Sequence, residues 1–427
     1  MITIYSPNSG SRIKYVIEFI FRDLLEIEFR LTNKVNDLKG IVINYSNKKL
    51  ELVNYQIFPS GFLINGNRDF SQHLTDSQEN QPFFPTNEGH HSFDIFSAIF
   101  FLISRMEEYD LKNLDEHQRF ISENSYLVKF EIEDQPVIDI WVMELLKKLN
   151  NHFKTELICS KKFQQYCTFD IDNAYAFKYK GILRYLGSFL KDLSLLRIAK
   201  LGQRFNVFFN VKNDPYDNYH YLDQFLKTRK LKAIFFFLLG DYGKMDKNIN
   251  HSHPNLIKLI QSLSEFHKIG IHPSYSSLNN EKVIKKEIFN LKNINSKKVE
   301  LSRFHYLRFS FPKSFQILQS LGIKKDFSMG YTDRIGFRAG TCTPFYFYDL
   351  DNEKTTNLKI VPFVYMDGVL NDKLKYSPKK CIQIIKDIKQ KVKDVDGQFT
   401  CVWHNESLSN QDRWIGWRQV FESTWLD

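Results

Sequence analysis

Short apolar runs that break off at an acid or a histidine recur in the second half of this chain, and they constrain its fold more than any other feature. Residues 166–169 lead into Asp170-Ile171-Asp172, residues 268–271 into His272, and residues 399–403 into His404. Residues 233–239 are apolar throughout, the pattern of a strand buried on both faces. Helical patterns lie between these runs, at intervals of roughly 20 to 40 residues. That alternation predicts a mostly parallel α/β fold, either an open sheet or an irregular barrel, with its site at the carboxyl ends of the strands. Asp170 and Asp172 are two apart, so a strand would turn both to one face. Side by side they repel, and burial is tolerated where a metal, a proton or an arginine shares the site. On spacing alone, two solvated carboxylates at a strand end fit equally well.

Helices are expected over residues 12–30, 93–109, 137–148, 181–190, 219–229, 255–266, 283–291, 314–321 and 378–392. Pro136 and Pro378 sit where proline suits a helix start. The 93–109 pattern is apolar almost all round until Arg105, so this helix should be buried between domains. Glu107 and Glu108, just after Arg105, read as ion pairing and helix termination rather than a functional acid pair. Short strands are expected at 41–45, 52–54, 207–210 and 360–362, and a polar surface loop, with Pro82 and Pro85, at 66–88. Two domains result: an N-terminal α/β domain over 1–150 and a larger one over 160–427.

The formal charge of +10 comes from scattered lysines, densest at 227–232 and 375–391, with no zinc-finger spacing, helix-turn-helix phrase or aromatic-basic repeat. Nucleic acid is therefore not an expected partner, and a solvated basic surface explains the charge best. An acidic glycan or an anionic membrane surface is the other partner such a surface would suit. Five cysteines without a CxxC pair argue against a disulfide framework; Cys167 and Cys401 read as buried small hydrophobes. The N-terminus reads as a first strand, not a secretion signal, and no apolar run is long enough to span a bilayer. The expected location is cytoplasmic; the oligomeric state is left open.

The order Thr168-Phe-Asp-Ile-Asp172, Gly270-Ile-His-Pro-Ser274, Arg303-Phe-His-Tyr306 and Val402-Trp-His404 resembles the polysaccharide deacetylase (NodB homology) superfamily. The phrases 236–243 and 336–341 resemble a Bacteroidetes-type branch carrying an N-terminal domain of unknown function. The resemblance covers residues 160–427 and implies an irregular (β/α)7 barrel. It implies a metal-dependent hydrolase that removes the N-acetyl group from a sugar or glycan precursor. One divalent ion is implied, zinc first, with cobalt, nickel, manganese or iron as alternatives.

Carried over by position, Asp170 is the general base, Asp172 and His272 are metal ligands, and Arg303 orients Asp170. The Tyr306 backbone N–H faces the oxyanion, and His404 protonates the departing amine. Two departures stand out. Ile171 separates acids that are adjacent in the family pattern, and Ser276 stands where a second metal histidine is usual. A hydroxyl is a poor substitute for imidazole on zinc. His305, in the family's proline position, is the candidate replacement ligand, a substrate-contacting or structural histidine being the alternative. Ser276 also feeds a second reading, a non-catalytic member that binds a glycan; another amide or ester hydrolase on this scaffold is a third. Secondary candidates are Asp241, Asp367, a substrate-holding or loop-bracing Arg338, and His117 with Arg119 at a cleft edge.

Overall fold

The computed structural model describes residues 1–64, 68–74, 83–86, 89–111 and 113–426. Two sheets organise it. The smaller is fully parallel, in the order β2 (Phe29–Thr32), β1 (Ile2–Tyr5), β3 (Ile41–Tyr45), β4 (Tyr55–Ile57). The larger uses β5 (Gln164–Ile171), β6 (Lys232–Phe237), β7 (Lys268–Ile271), β8 (Leu301–Ser302), β9 (Lys325–Met329), β10 (Phe345–Asp349), β11 (Lys354–Pro362) and β12 (Gln398–His404). Its order is β10-β11-β9-β8-β7-β6-β5-β12, parallel except for the β10–β11 pair. The mixed α/β architecture with parallel sheets is the one expected. The sheet is not a closed ladder, however. After β11 the chain meets the free side of β12 through an isolated parallel bridge between Met366 and Val402, with Val364 N–H donating to Thr400 O at 2.9 Å and Val402 N–H to Tyr365 O at 3.0 Å.

Register brings the strand ends level. Asp170 lies beside His404 and Phe236, Phe237 beside Ile271, and Ile271 beside Ser302. The residues that follow these ends, Asp172, His272 and Arg303, therefore emerge on one side of the sheet. Gly270 is needed there: a Cβ would lie 2.5 Å from the Phe236 ring, which underlies the Arg303 guanidinium at 4.6 Å.

Most expected helices are present with shifted ends, such as Val137–Phe153, Tyr219–Thr228, Pro254–Phe266 and Pro378–Lys393. Four expectations fail. The helix expected over 12–30 runs only from Ser11 to Glu18, continues as a π-turn over Phe19–Leu24, and gives way to β2. The strand expected at 52–54 forms at Tyr55–Ile57 instead. Residues 207–210 are not a strand: they end the helix Ile198–Phe208. A short aromatic run looks the same to sequence periodicity in either state. Of the 66–88 loop, residues 66–67, 75–82 and 87–88 lie outside the described residues, and Phe83 and Phe84 are buried rather than on the surface.

The helix Ile95–Ile103 is buried along its whole length, as its all-round apolar sequence requires. Asp94 caps it, accepting from the Ser97 N–H at 3.1 Å, and Arg105, left-handed at φ +54°, ends it. One continuous hydrophobic core runs from this helix into the large sheet. The β10–β11 edge is covered by the helix Ser11–Glu18: Tyr15 donates to Tyr346 O at 2.6 Å, and Arg12 pairs with Glu353 at 2.6 Å.

Residues 336–341 clamp the two parts together. Arg338 is the loop brace rather than a substrate-holding arginine: its Nε and Nη2 donate to Glu108 at 2.9 and 2.5 Å. Arg105 reaches the same carboxylate at 2.7 Å and Glu107 at 2.6 Å, all of them buried. Thr341 donates to the buried Asp139 at 2.6 Å. At Gly336 (φ +140°) a Cβ would sit 2.4 Å from Glu133 O, so no other residue fits. Burial raises the Glu108 carboxyl, but Arg338 and Arg105 outweigh it and hold it below its usual value. A carboxyl depressed by folding stabilises above its unfolded pKa, and that contribution is lost as pH falls through the folded one. Glu108→Gln should therefore cost about 3–5 kcal/mol near pH 7, because it leaves Arg338 buried without its counter-charge. In urea denaturation the gap between wild type and variant should shrink as pH drops below the ordinary carboxylate range.

Candidate metal centre

Asp172 is the hub of a cluster at the carboxyl ends of β5, β7, β8 and β12. His272 Nε2 lies 3.2 Å from its Oδ1, and His305 Nε2 lies 3.4 Å from its Oδ2. One potential ligand atom from each of the three falls within 4.8 Å of the others. The far sides of both rings are tied down. His272 Nδ1 donates to Arg303 O at 2.5 Å, and His305 Nδ1 to the buried Asp246 at 2.8 Å. With Nδ1 the donor, each neutral ring turns the lone pair of Nε2 toward Asp172. Two lone pairs and a carboxylate repel unless positive charge lies among them. Asp172 Oδ1 is buried and has no hydrogen-bond partner. A divalent cation fits this donor set, and the ring anchors are of the kind that orient metal-binding histidines.

The electrostatics agree. Burial raises the Asp172 carboxyl, but the charge that His305 carries when its ring is protonated outweighs this and holds the carboxyl well below the usual range. Burial lowers the His305 imidazole, yet Asp172 and then Asp246 lift it to about 9. The field that draws a proton onto His305 equally favours a cation.

The other expected residues surround this cluster. Asp170 is buried, with Oδ1 accepting from Arg303 Nη1 at 2.8 Å and Oδ2 standing 3.8 Å from His272 Nε2. Arg303 is fully buried, its Nε donating to Phe327 O at 2.9 Å. His404 Nε2 lies 3.8 Å from Asp172 Oδ2, while its Nδ1 and backbone N–H both bind the fully buried Asp367 at 2.7 Å. Burial lowers the His404 imidazole, but Asp367, Asp172 and Asp170 raise it well above its ordinary value. Tyr306 is left-handed at φ +59°, its carbonyl held by Arg119 at 2.9 Å. All of them except Arg303 line one cleft of about 370 Å³, which Arg119 borders from the N-terminal part of the chain. His117 stands behind that rim, 3.1 Å from the Tyr275 hydroxyl.

Ser276 is exposed and its hydroxyl meets Ser274 at 3.0 Å. Asp241 is also outside the site, pairing with Lys286 at 2.8 Å in solvent. Sequence reasoning missed Asp246 altogether and left Asp367 as an unassigned strand-end acid. Asp246 lies in the loop after residues 233–239 and Asp367 opens the helical turn after residues 360–365, so a search for any acid shortly after an apolar run would have found them.

Residues 2–154 match the model of a family described as "Family of unknown function (DUF7033)". No curated protein matches the chain. Among solved structures it is similar to a putative polysaccharide deacetylase from Mycobacterium smegmatis, at 14% identity and a TM-score of 0.39, covering 61% of this chain and 83% of that one. It is also similar to the polysaccharide deacetylase Bc1974 from Bacillus cereus, at 15% identity and a TM-score of 0.27, covering 61% and 86%. A third is IcaB from Ammonifex degensii, at 15% identity and a TM-score of 0.23, covering 39% and 84%. At these values the likenesses carry no argument, and the geometry of the cluster stands by itself.

Asp246→Asn keeps the shape of the side chain but removes the charge that fixes His305. It should weaken Zn²⁺ or Co²⁺ binding by about 10- to 100-fold, read by calorimetric titration of the metal-free protein.

Proposed function

We propose that this chain is a metal-dependent hydrolase that removes the N-acetyl group from an N-acetylated sugar or glycan precursor. The observation that carries the reading is the Asp172–His272–His305 cluster set between a carboxylate held by Arg303 and a histidine held by Asp367. The order of motifs along the sequence supports it independently. In this reading residues 1–150 are an accessory domain and 160–427 the catalytic one. In the same reading the seven parallel strands belong to an irregular (β/α)7 barrel, a reading supported by the chain after β11 meeting the free side of β12.

When bound, a divalent ion, zinc by preference, would polarise the acyl oxygen and acidify a water. Asp172, His272 and His305 hold it, so His305 takes the part that Ser276 does not supply. Asp170 accepts the proton of the attacking water, and Arg303 fixes its orientation. The Tyr306 backbone N–H donates to the oxygen on which charge develops, in a turn anchored by Arg119. His404, kept protonated by Asp367, donates to the departing amine, so the products are acetate and a free amino sugar. An imidazole beside Asp172 favours a working site over the glycan-binding reading that Ser276 suggested.

Two variants separate catalysis from binding. Asp170→Asn should retain about one equivalent of metal and lose roughly 10²- to 10⁴-fold in acetate release from N-acetylhexosamine oligomers. His305→Ala should lose the metal, measured by elemental analysis after reconstitution with Zn²⁺ or Co²⁺. Wild-type protein that takes up neither ion would sink the hydrolase and leave glycan binding ahead.

A further inference from the structure

The helices Ile182–Ser194 and Ile198–Phe208 form a hairpin whose amphipathic pattern is turned outward. A surface helix normally buries its apolar stripe. Here Ile182 is 79% exposed and Leu183 86%, and Leu186, Leu190 and Leu193 continue the stripe in solvent at helical spacing. Leu196, at the turn, is 78% exposed, and Phe208 and Phe209 follow on the second helix, 5.3 Å apart. The polar side faces the protein instead. Arg184 donates to Asn248 O and Lys247 O at 2.8 and 2.9 Å, and the buried Asp192 accepts from Arg204 at 2.8 Å. An apolar patch of this kind on one hairpin marks an interaction surface.

Charge identifies the partner. Residues 178–212 carry eight lysines and arginines against a single acid, Asp192. Docking two copies through this face would bring like charge against like charge, whereas an anionic surface complements it. Among the described residues no helix is long and apolar enough to cross a membrane, so the hairpin can only lie along one. An exposed apolar stripe flanked by lysine and arginine is the composition of an interfacial helix.

We propose that this hairpin docks the protein on an anionic lipid bilayer, with its apolar stripe in the acyl boundary and its exposed cations, Lys191, Arg197, Lys200 and Lys212, among the headgroups. Its inner face walls a basic cleft of about 670 Å³, lined by Lys180, Arg197 and Lys200 among others. That cleft shares Arg413 and Trp414 with the metal-centre cleft, so the hairpin and the metal centre stand on either side of adjoining clefts. The inference does not depend on the hydrolase reading.

Co-sedimentation of the full chain with vesicles tests it, using phosphatidylcholine alone and phosphatidylcholine with about one third phosphatidylglycerol. Binding is expected on the anionic vesicles only, weakening as salt is added. Leu183→Glu/Leu190→Glu should lower the bound fraction about tenfold or more, while circular dichroism and metal stoichiometry stay those of wild type. Lys191→Glu/Lys200→Glu should weaken binding without touching the apolar stripe. No sedimentation, or equal sedimentation with both vesicle types, overturns the proposal. So does a wild-type dimer that Leu183→Glu/Leu190→Glu converts to monomer while vesicles bind neither form.

Discussion

Three electron-rich atoms turned toward one point are the constraint on which the rest of the site depends. Nothing about Asp172, His272 and His305 would keep them together in an empty apolar pocket; mutual repulsion would drive them to other rotamers. They stay because each ring is locked from behind, one by a backbone carbonyl and the other by Asp246. The locking groups in turn depend on the sheet. The Arg303 carbonyl is placed by the β8 end, and Asp246 is held in a loop where it also accepts from the Tyr275 N–H at 3.0 Å. Positive charge is brought close from the opposite side, since Arg303 neutralises Asp170 without reaching Asp172. The arrangement leaves room for one further cation.

The N-terminal part of the chain takes its place in the same scheme. It covers the β10–β11 edge, which would otherwise offer unpaired backbone groups to another chain. It also contributes Arg119 to the turn that carries Tyr306. A buried charge network, not apolar contact alone, fixes its orientation, because Glu108 must meet Arg338 and Asp139 must meet Thr341. Apolar packing would tolerate a small slide between the layers; paired buried charges do not.

Much of this was legible in the sequence because strand ends announce themselves. Asp170, His272 and His404 each close an apolar run, and parallel pairing then leaves them level. His305 stood out as a candidate ligand only through its position in the Arg303–Tyr306 phrase. Asp246 could be found only as one acid in the loop after residues 233–239; its pairing with His305 is a contact across 59 residues that no local pattern encodes. The failures elsewhere have a common physical cause. Residues 207–210 and 19–30 are short runs rich in aromatic and β-branched side chains, which suit helix and strand alike, so tertiary contacts decide between them. The resemblance pointed to an irregular (β/α)7 barrel; the large sheet is mostly parallel, as that requires, but its ladder does not close between β11 and β12.

The pairing of β12 with β5 has a consequence for how the protein is made. The edge of β5 emerges from the ribosome with Cys167, Phe169 and Asp170 in place, but the strand that covers it is synthesised more than two hundred residues later. At ordinary translation rates that interval is on the order of 10 to 50 s. Throughout it the nascent chain displays an apolar, unpaired strand edge beside a half-built site that still lacks His404. Synthesis must therefore pass residue 404 before the site is whole, and a chaperone that shields strand edges has its natural point of action in that interval.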